Sequence, residues 1–183
     1  ARYGAAVYYG TASNCVIRGN IAGDIGGGCS YASSEGLRNK LYNCLIVSNN
    51  ADAFAGACQG YNTLVNCTIV GNISGNAPGI YGDVAATNCI VLGNMSGGVE
   101  SNYNLTGAGI LSYCLTSPDP TGQAYDGGGN QTGDPLFKAP DTGDYHLTTG
   151  SPGINAGTNQ AWMAGFMDLD GQPRVDRVVR RVD

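Results

Sequence analysis

The stretch NCVIRGN at residues 14–20 decides the fold, because the chain repeats it three more times. It returns as NCLIVSN at 43–49, NCTIVGN at 66–72 and NCIVLGN at 88–94. The cysteines of these four segments lie 29, 23 and 22 residues apart. A recurring period of this size is typical of repeat proteins, in which each unit stacks on the next. We attribute the longer first interval to an insertion at residues 33–40.

Each repeated segment has the pattern of a short β-strand. In NCTIVGN, Cys67 and Ile69 fall on one face, and Thr68 and Val70 fall on the other. Asparagine and glycine flank the segments, which suits turns that need positive φ angles. Strands this short cannot bury an apolar face alone, but stacked copies can. The sequence therefore predicts an all-β fold, a right-handed parallel β-helix (a solenoid) of about five coils spaced by about 4.8 Å.

Equivalent residues of stacked coils lie one above another, so the repeats predict two structural ladders. The inward cysteine ladder and the corner asparagine ladder comprise Cys15, Cys44, Cys67, Cys89, Asn20, Asn49, Asn72 and Asn94. An asparagine at a corner can bond to turn backbone groups and to the next asparagine of the stack.

The seven cysteines of the chain allow three interpretations. They can be small buried apolar side chains, they can form one or two strained disulfides, or they can bind a metal ion. We favour buried thiols, because stacked cysteines point in parallel directions and keep their Cβ atoms near the strand spacing. A single histidine and the lack of a CxxC pair speak against a metal site.

The outward face of the repeated strand is apolar, although a solvated sheet face should alternate to polar residues. The apolar positions, which we call the outer stripe, are Val16, Leu45, Val47, Val70, Ile90 and Leu92. An apolar surface of this kind marks a contact. We predict that either the C-terminal segment or another subunit covers it, which makes these residues a candidate interface.

The repeat ends near residue 116, and the remaining residues have a different composition. Residues 1–116 carry five acids and four bases, whereas residues 117–183 carry nine acids, five bases and most of the prolines. We predict two parts, the coils at 1–116 and a C-terminal segment at 117–183 that packs on the side or end of the solenoid. A terminal coil needs such a cover because it exposes apolar core and unpaired strand edges.

The DLDG run in the C-terminal segment places Asp168 and Asp170 where a calcium loop would begin. The run lacks the third acid and the distal glutamate of such a loop, so we favour a turn with local side-chain bonds. Calcium is therefore a weak candidate ligand at these two residues, and no other cofactor is expected. His146 lies between Tyr145 and Leu147 in an apparent strand, and we interpret it as a packing residue.

The acids of the repeat region do not form a catalytic pattern. Glycoside hydrolysis needs two carboxylates about 5 to 9.5 Å apart, and elimination needs an acidic calcium cluster with a basic residue. No acid pair falls on neighbouring strands, and Arg18, Arg38 and Lys40 have no acidic cluster beside them. We therefore expect a protein without enzymatic activity. The alternative is a carbohydrate-binding or carbohydrate-cleaving β-helix of the lyase or glycosidase kind.

Charge and hydropathy narrow the classes of partner. The net charge of −5 argues against nucleic acid as a partner. No segment is long and apolar enough to predict a membrane span.

The C-terminal residues also resemble a known class of proteins. The run DPLF…GDYHL…GSPGINAGTNQAWM…DLDGQPRV resembles the C-terminal segment of bacterial right-handed parallel β-helix surface proteins. The coils resemble polymorphic outer-membrane-protein repeats, so the resemblance covers essentially the whole chain. The sequence departs from this class at RVDRVVRRVD, where such proteins typically continue into a closing strand of the IGAYE kind.

This resemblance implies an extracellular or cell-surface location and a structural or adhesive role. The chain begins inside a coil, so we expect a removed leader and a larger chain of which this is a part. An uncapped coil also predicts self-association into fibres, by coil stacking or through the outer stripe. Glycans are a further candidate partner, because tyrosines recur near the first strand of the repeats.

Overall fold

A computed structural model describes Arg2 and residues 6–30 and 38–173, which form an all-β fold with two short 3₁₀ helices. Four sheets of five strands each wrap into a parallel β-solenoid of about four turns. A full turn contributes one short strand to every sheet. The fold class predicted from the repeats is therefore confirmed.

The strands of the solenoid are two to five residues long. In chain order they are β1 Val7–Tyr8, β2 Thr11–Ser13, β3 Val16–Arg18, β4 Ile21–Ala22, β5 Cys29–Ser30, β6 Asn39–Tyr42, β7 Leu45–Val47, β8 Asn50–Phe54, β9 Cys58–Gln59, β10 Asn62–Val65, β11 Thr68–Val70, β12 Ile73–Asn76, β13 Ile80–Gly82, β14 Val84–Thr87, β15 Ile90–Leu92, β16 Met95–Ser96, β17 Val99–Glu100, β18 Tyr103–Leu105, β19 Ile110–Ser112 and β20 Leu115–Thr116. Sheet 1 contains β1, β5, β9, β13 and β18; sheet 2 contains β2, β6, β10, β14 and β19; sheet 3 contains β3, β7, β11, β15 and β20; sheet 4 contains β4, β8, β12, β16 and β17. Paired strands run parallel, except that β17 runs antiparallel to β16.

Sheet 3 is built from the repeated NCxIxGN segments, and its register explains the repeat. The central residues of its first four strands pair across the sheet and are buried; they are Ile17, Ile46, Ile69 and Val91. The residues on either side of each central residue point outward, which gives the period of two that the sequence shows.

Both ends of the sheet 3 strands turn through residues with positive φ. On one side Asn14, Asn43, Asn66 and Asn88 have φ of 53 to 54°. On the other side Gly19, Ser48, Gly71 and Gly93 have φ of 54 to 65°. Glycine and asparagine enter this left-handed conformation more readily than most residues, which is why they recur at fixed positions in the motif.

The insertion predicted at residues 33–40 extends too far. Asn39 and Lys40 belong to β6, where they pair with Asn62 and Thr63 of β10. Residues 33–37 lie outside the described residues.

The interpretation of the cysteines as buried thiols is wrong for one pair. Cys29 and Cys58 lie opposite each other in β5 and β9 and form a disulfide, with 4.7 Å between their Cα atoms. This separation lies within the range of about 4.4 to 6.8 Å that disulfides adopt, so parallel stacking does not prevent a bridge. The other five cysteines are free thiols.

The last coil is covered by the first part of the C-terminal segment. Residues 118–131 follow its edge, where the backbone N–H groups of Leu111 and Tyr113 donate to the carbonyls of Tyr125 and Gly128, both at 2.9 Å. These bonds satisfy strand groups that would otherwise face the end of the stack.

The second part of the C-terminal segment lies along the side of the solenoid. It forms an antiparallel hairpin from β21 Phe137–Ala139 and β22 Asp144–Leu147, joined by the 3₁₀ helix Pro140–Thr142. The second 3₁₀ helix, Ala161–Met163, reaches sheet 2, where buried Met163 packs on Val65.

Candidate functional site

The corner between sheets 3 and 4 contains a continuous asparagine ladder. Asn20 Nδ2 donates to Asn49 Oδ1 at 2.8 Å, and Asn49 Nδ2 donates to Asn72 Oδ1 at 2.9 Å. The same bond joins Asn72 to Asn94 at 2.9 Å and Asn94 to Asn102 at 3.1 Å. Each acceptor oxygen also receives the backbone N–H of the asparagine below it, at 3.0 to 3.1 Å. Amide donors therefore all point towards the C-terminal end of the stack.

The two ends of this ladder differ. At the C-terminal end, Asn102 Nδ2 donates to the carbonyl of Ser117 and to Glu100 Oε1, both at 2.8 Å. At the N-terminal end, no donor within the described part of the chain reaches Asn20 Oδ1. The ladder is closed at one end and presents an acceptor at the other.

The first coil also exposes apolar side chains. Val16 is 53% exposed, whereas Leu45 and Ile90, which occupy the same position in later coils, are half-buried. Ile21 is 66% exposed, and its equivalent Ile73 is 52% exposed. Together with Asn20, Val16 marks the N-terminal end of the solenoid, which we call the open end. Its exposed strands are β1 to β4, which head the four sheets.

The outer stripe is partly buried, and the C-terminal segment lies opposite part of it. Val47 and Leu92 are 5% and 8% exposed, and Leu45, Val70 and Ile90 are half-buried. Between the stripe and the C-terminal segment lies a groove of about 760 Å³. Its apolar surface comes from the stripe and from the segment: Val16, Leu45, Ile90, Leu115, Leu147 and Ile154. The C-terminal segment, one of the two predicted covers, faces the stripe at Val16, Leu45 and Ile90, and cover by another subunit stays a prediction.

A second asparagine ladder runs along the corner between sheets 2 and 3. Asn66 Nδ2 donates to Asn43 Oδ1 at 3.2 Å, and Asn88 Nδ2 donates to Asn66 Oδ1 at 3.0 Å. Asn88 also exchanges two hydrogen bonds with the backbone of Thr158, at 2.8 and 2.9 Å. This ladder holds the C-terminal segment against the solenoid. We did not predict it, although its residues are the first letter of every repeated segment.

His146 is wrongly interpreted as a packing residue, because it is largely exposed and binds two carboxylates. Its Nδ1 contacts Asp144, and its Nε2 lies 2.6 Å from Asp170 Oδ2. The carboxylates of Asp170 and Asp144 raise the pKa of His146 above its ordinary value. The hydrogen bonds from His146, and Lys138 at 3.2 Å, lower the pKa of Asp144 to about 2. His146 therefore connects β22 to the DLDG turn at the rim of the groove.

The two acids of the weak calcium candidate have different roles in the structure. Asp168 Oδ1 accepts the backbone N–H groups of Asp170 and Gln172 at 2.9 and 2.7 Å, which closes a local turn. Asp170 points to His146. Among the described residues, no three histidine, cysteine, aspartate or glutamate side chains converge on one metal position.

The predicted cysteine ladder lies on the inner side of sheet 3 and continues to Cys114. Cys44, Cys67, Cys89 and Cys114 are buried, and Cys15 in the first coil is half-buried. Each thiol donates to the carbonyl two residues earlier in the chain, as from Cys44 to Tyr42 at 3.2 Å. The inward side of the motif is therefore a column of thiols.

Among the described residues, Arg38 has a single acidic partner, Asp83, which the sequence analysis did not predict. Arg38 Nη2 lies 2.5 Å from Asp83 Oδ1, and Arg38 Nη1 donates to the carbonyl of Asp83 at 3.0 Å. Burial opposes ionisation of Asp83, but bonds from Ala108 and Arg38 keep its pKa below the ordinary value. The pair joins two coils that are 45 residues apart in the chain, so it links coils mechanically.

Comparison of the chain with protein-family models, curated proteins and solved structures found no match. Within residues 6–30 and 38–173, no helix is both long and apolar enough to cross a membrane.

Proposed function

We propose that the chain is an extracellular structural and adhesive module of the bacterial β-helix surface type, without chemistry of its own. Its open end receives a further coil of the same sense, so that the module terminates a longer stack. The observation that supports this role is the polarity of the asparagine ladder. Asn20 Oδ1 is an acceptor without a donor among the described residues, at the end where the next coil would lie.

Ladder polarity favours one kind of partner. A coil of the same sense places the N–H and Nδ2 donors of its own asparagine below Asn20 Oδ1, which repeats the bonds at Asn49 and Asn72. Two copies meeting at their open ends would oppose two acceptors, which leaves both unpaired. The far end of another copy is covered by residues 118–131. The proposed partner is therefore a coil with the NCxIxGN pattern, and stacking adds to one end only.

This partner is tested by supplying the coil in the same chain. A copy of residues 58–79, which spans one 22-residue unit, is fused directly before Val7 so that the copied Asn72 lies below Asn20. Substitution of Asn20 by Ala is then measured in the fused and the original chain by urea denaturation. We expect it to cost about 2 kcal/mol more in the fusion, since two extra hydrogen bonds are lost there. An equal cost in both chains would contradict the proposal.

A second candidate function is glycan binding in the groove, without cleavage. The groove combines an apolar floor with a rim that includes Tyr113, Tyr145 and His146, which is the composition of ligand sites. The proposal of binding without cleavage is supported by the bonds of the two acids at the rim, since Asp168 accepts from turn N–H groups and Asp170 contacts His146.

Calorimetric titration with cellohexaose and maltohexaose tests this second function. Binding of either sugar should weaken in Tyr145→Ala and remain in Tyr61→Ala, which removes a tyrosine outside the groove lining. Equal effects of the two substitutions, or no heat of binding, would exclude it.

A further inference from the structure

The thiol column in the solenoid core has a regular spacing. The residue after each cysteine bonds to the cysteine of the coil below: Leu45 N–H donates to the Cys15 carbonyl, and Thr68 N–H to the Cys44 carbonyl, both at 3.0 Å. The same bonds link Ile90 to Cys67 and Leu115 to Cys89 at 3.0 and 2.9 Å. Neighbouring cysteines therefore lie one strand spacing apart, about 4.8 Å.

The thiol of Cys89, in the middle of the column, is held in its protonated form. Burial and the adjoining thiols of Cys114 and Cys67 raise the pKa of Cys89 well above its ordinary value. The Cys89 thiol donates a hydrogen bond to the carbonyl of Thr87, with 3.3 Å between sulfur and oxygen. Five thiols with no other assigned role thus occupy one line through the core.

We propose that this column binds thiophilic ions that accept linear two-coordinate geometry, of the Cu(I) class, with each ion between the sulfurs of neighbouring coils. A metal–thiolate bond is about 2.3 Å long, so two opposed bonds span about 4.6 Å. That distance matches the coil spacing of about 4.8 Å, so an ion fits between stacked sulfurs without moving the backbone. Soft thiolate ligands select Cu(I) over harder ions. Tetrahedral zinc does not fit, since no three ligands converge among the described residues.

Binding exchanges protons for the ion and involves no oxidation. One Cu(I) replaces the hydrogens of two neighbouring thiols, forms two Cu–S bonds and releases two protons to solvent. Because protons are released, the affinity of the column for Cu(I) increases with pH. Entry is available at the open end, where Cys15 is half-buried, whereas Cys44, Cys67 and Cys89 are buried in the core.

Two double variants with equal numbers of thiols test the proposal. Cys44→Ala with Cys89→Ala leaves Cys15, Cys67 and Cys114, of which no two are neighbours in the stack. Cys15→Ala with Cys114→Ala leaves Cys44, Cys67 and Cys89, which are contiguous. The full chain is titrated anaerobically with Cu(I), kept reduced by ascorbate, in competition with bathocuproine disulfonate. Free thiols are first counted in denaturant, and five are expected in the wild type.

The contiguous variant should retain tight Cu(I) binding, and the interrupted variant should lose roughly a hundredfold or more in affinity, because its second thiolate is no longer held in place. X-ray absorption of the wild-type complex should give two sulfur neighbours per copper. The absorption measurement needs only the wild-type protein, so it also tests the proposal if the interrupted variant fails to fold. Equal affinity of the two variants, a three-coordinate copper spectrum, or a column already oxidised to disulfides would overturn the proposal.

Discussion

Asn72 shows how much a single ladder residue contributes in the middle of the stack. Its side chain donates to Asn94 Oδ1 and to the carbonyls of Ile46 and Val70, and it accepts both donors of Asn49. It is fully buried. Asn20 makes the same donor bond to Asn49 but accepts none from the described residues.

Substitution of Asn72 by Ala should therefore cost more than the same change at Asn20. Asn72→Ala leaves the buried N–H and one Nδ2 hydrogen of Asn49 without an acceptor, for which we expect a loss of about 3 kcal/mol or more. Asn20→Ala removes donor bonds only and should cost about 1 kcal/mol. Urea denaturation of the two variants measures the difference. Equal losses would mean that ladder acceptors are not important for stability.

We expect the link between β22 and the DLDG turn to depend on pH, because His146 forms it by contacts with two carboxylates. Its pKa is raised in the folded state, so its contribution is complete below its unfolded pKa and is lost as pH rises through the folded value. The Asp144 pKa is lowered to about 2, so its contribution is present above the unfolded value and is lost as pH falls towards 2. The link is therefore strongest in mildly acidic solution, between the unfolded pKa values of aspartate and histidine.

The titration of His146, the only histidine of the chain, can be followed directly by NMR. Asp170→Asn should lower its pKa, because the carboxylate at Nε2 becomes neutral. Asp168→Asn is the matched control: it keeps an acceptor for the turn and should leave the histidine pKa unchanged. The same pKa in both variants would mean that Asp170 does not hold the imidazolium.

At the scale of elements, features that recur in every coil can be predicted from the sequence, whereas a contact that occurs only once cannot. The strands of sheet 3 and the ladder from Asn20 to Asn94 follow from period, alternation and corner chemistry. The Arg38–Asp83 pair occurs in a single pair of coils, so the sequence period cannot predict it. The parallel Cβ directions of stacked cysteines argue against a disulfide between Cys29 and Cys58. The Cα separation of the stacked strands nevertheless permits it.

The hydrogen bonds between Asn88 and Thr158 are one of the contacts that hold the C-terminal segment on the solenoid. Asn88→Gly removes the side chain while suiting the φ of 54° at this corner. Hydrogen exchange at the Thr158 amide should then accelerate, since its acceptor Asn88 Oδ1 is lost. Asn14→Gly changes the equivalent corner of the first coil and should leave Thr158 protected. Unchanged exchange in Asn88→Gly would show that packing around Met163 holds the segment by itself.

At the scale of the whole molecule, the described residues cover one end of the solenoid and leave the other end open, and on the proposed function this asymmetry limits assembly. Residues 118–131 satisfy the edge of the last coil, and Ser117 accepts from Asn102 at the end of the ladder. A chain with two uncovered, complementary ends would stack head to tail without limit, because such contacts do not close. We therefore propose that the C-terminal segment prevents the fibres that a bare stack of coils would form.

Removal of that cover should convert the module into a filament-forming one. A chain truncated after residue 116 frees the Asn102 Nδ2 hydrogen that bonds to Ser117, which can then donate to Asn20 Oδ1 of the next copy and continue the ladder across the junction. Electron microscopy should show filaments of the truncated chain and dispersed particles of the full chain at the same concentration. Asn20→Ala in the truncated chain should suppress the filaments, while circular dichroism reports whether its strands are retained. Filaments that persist without the Asn20 acceptor would mean that exposed apolar edges drive stacking and that ladder polarity does not.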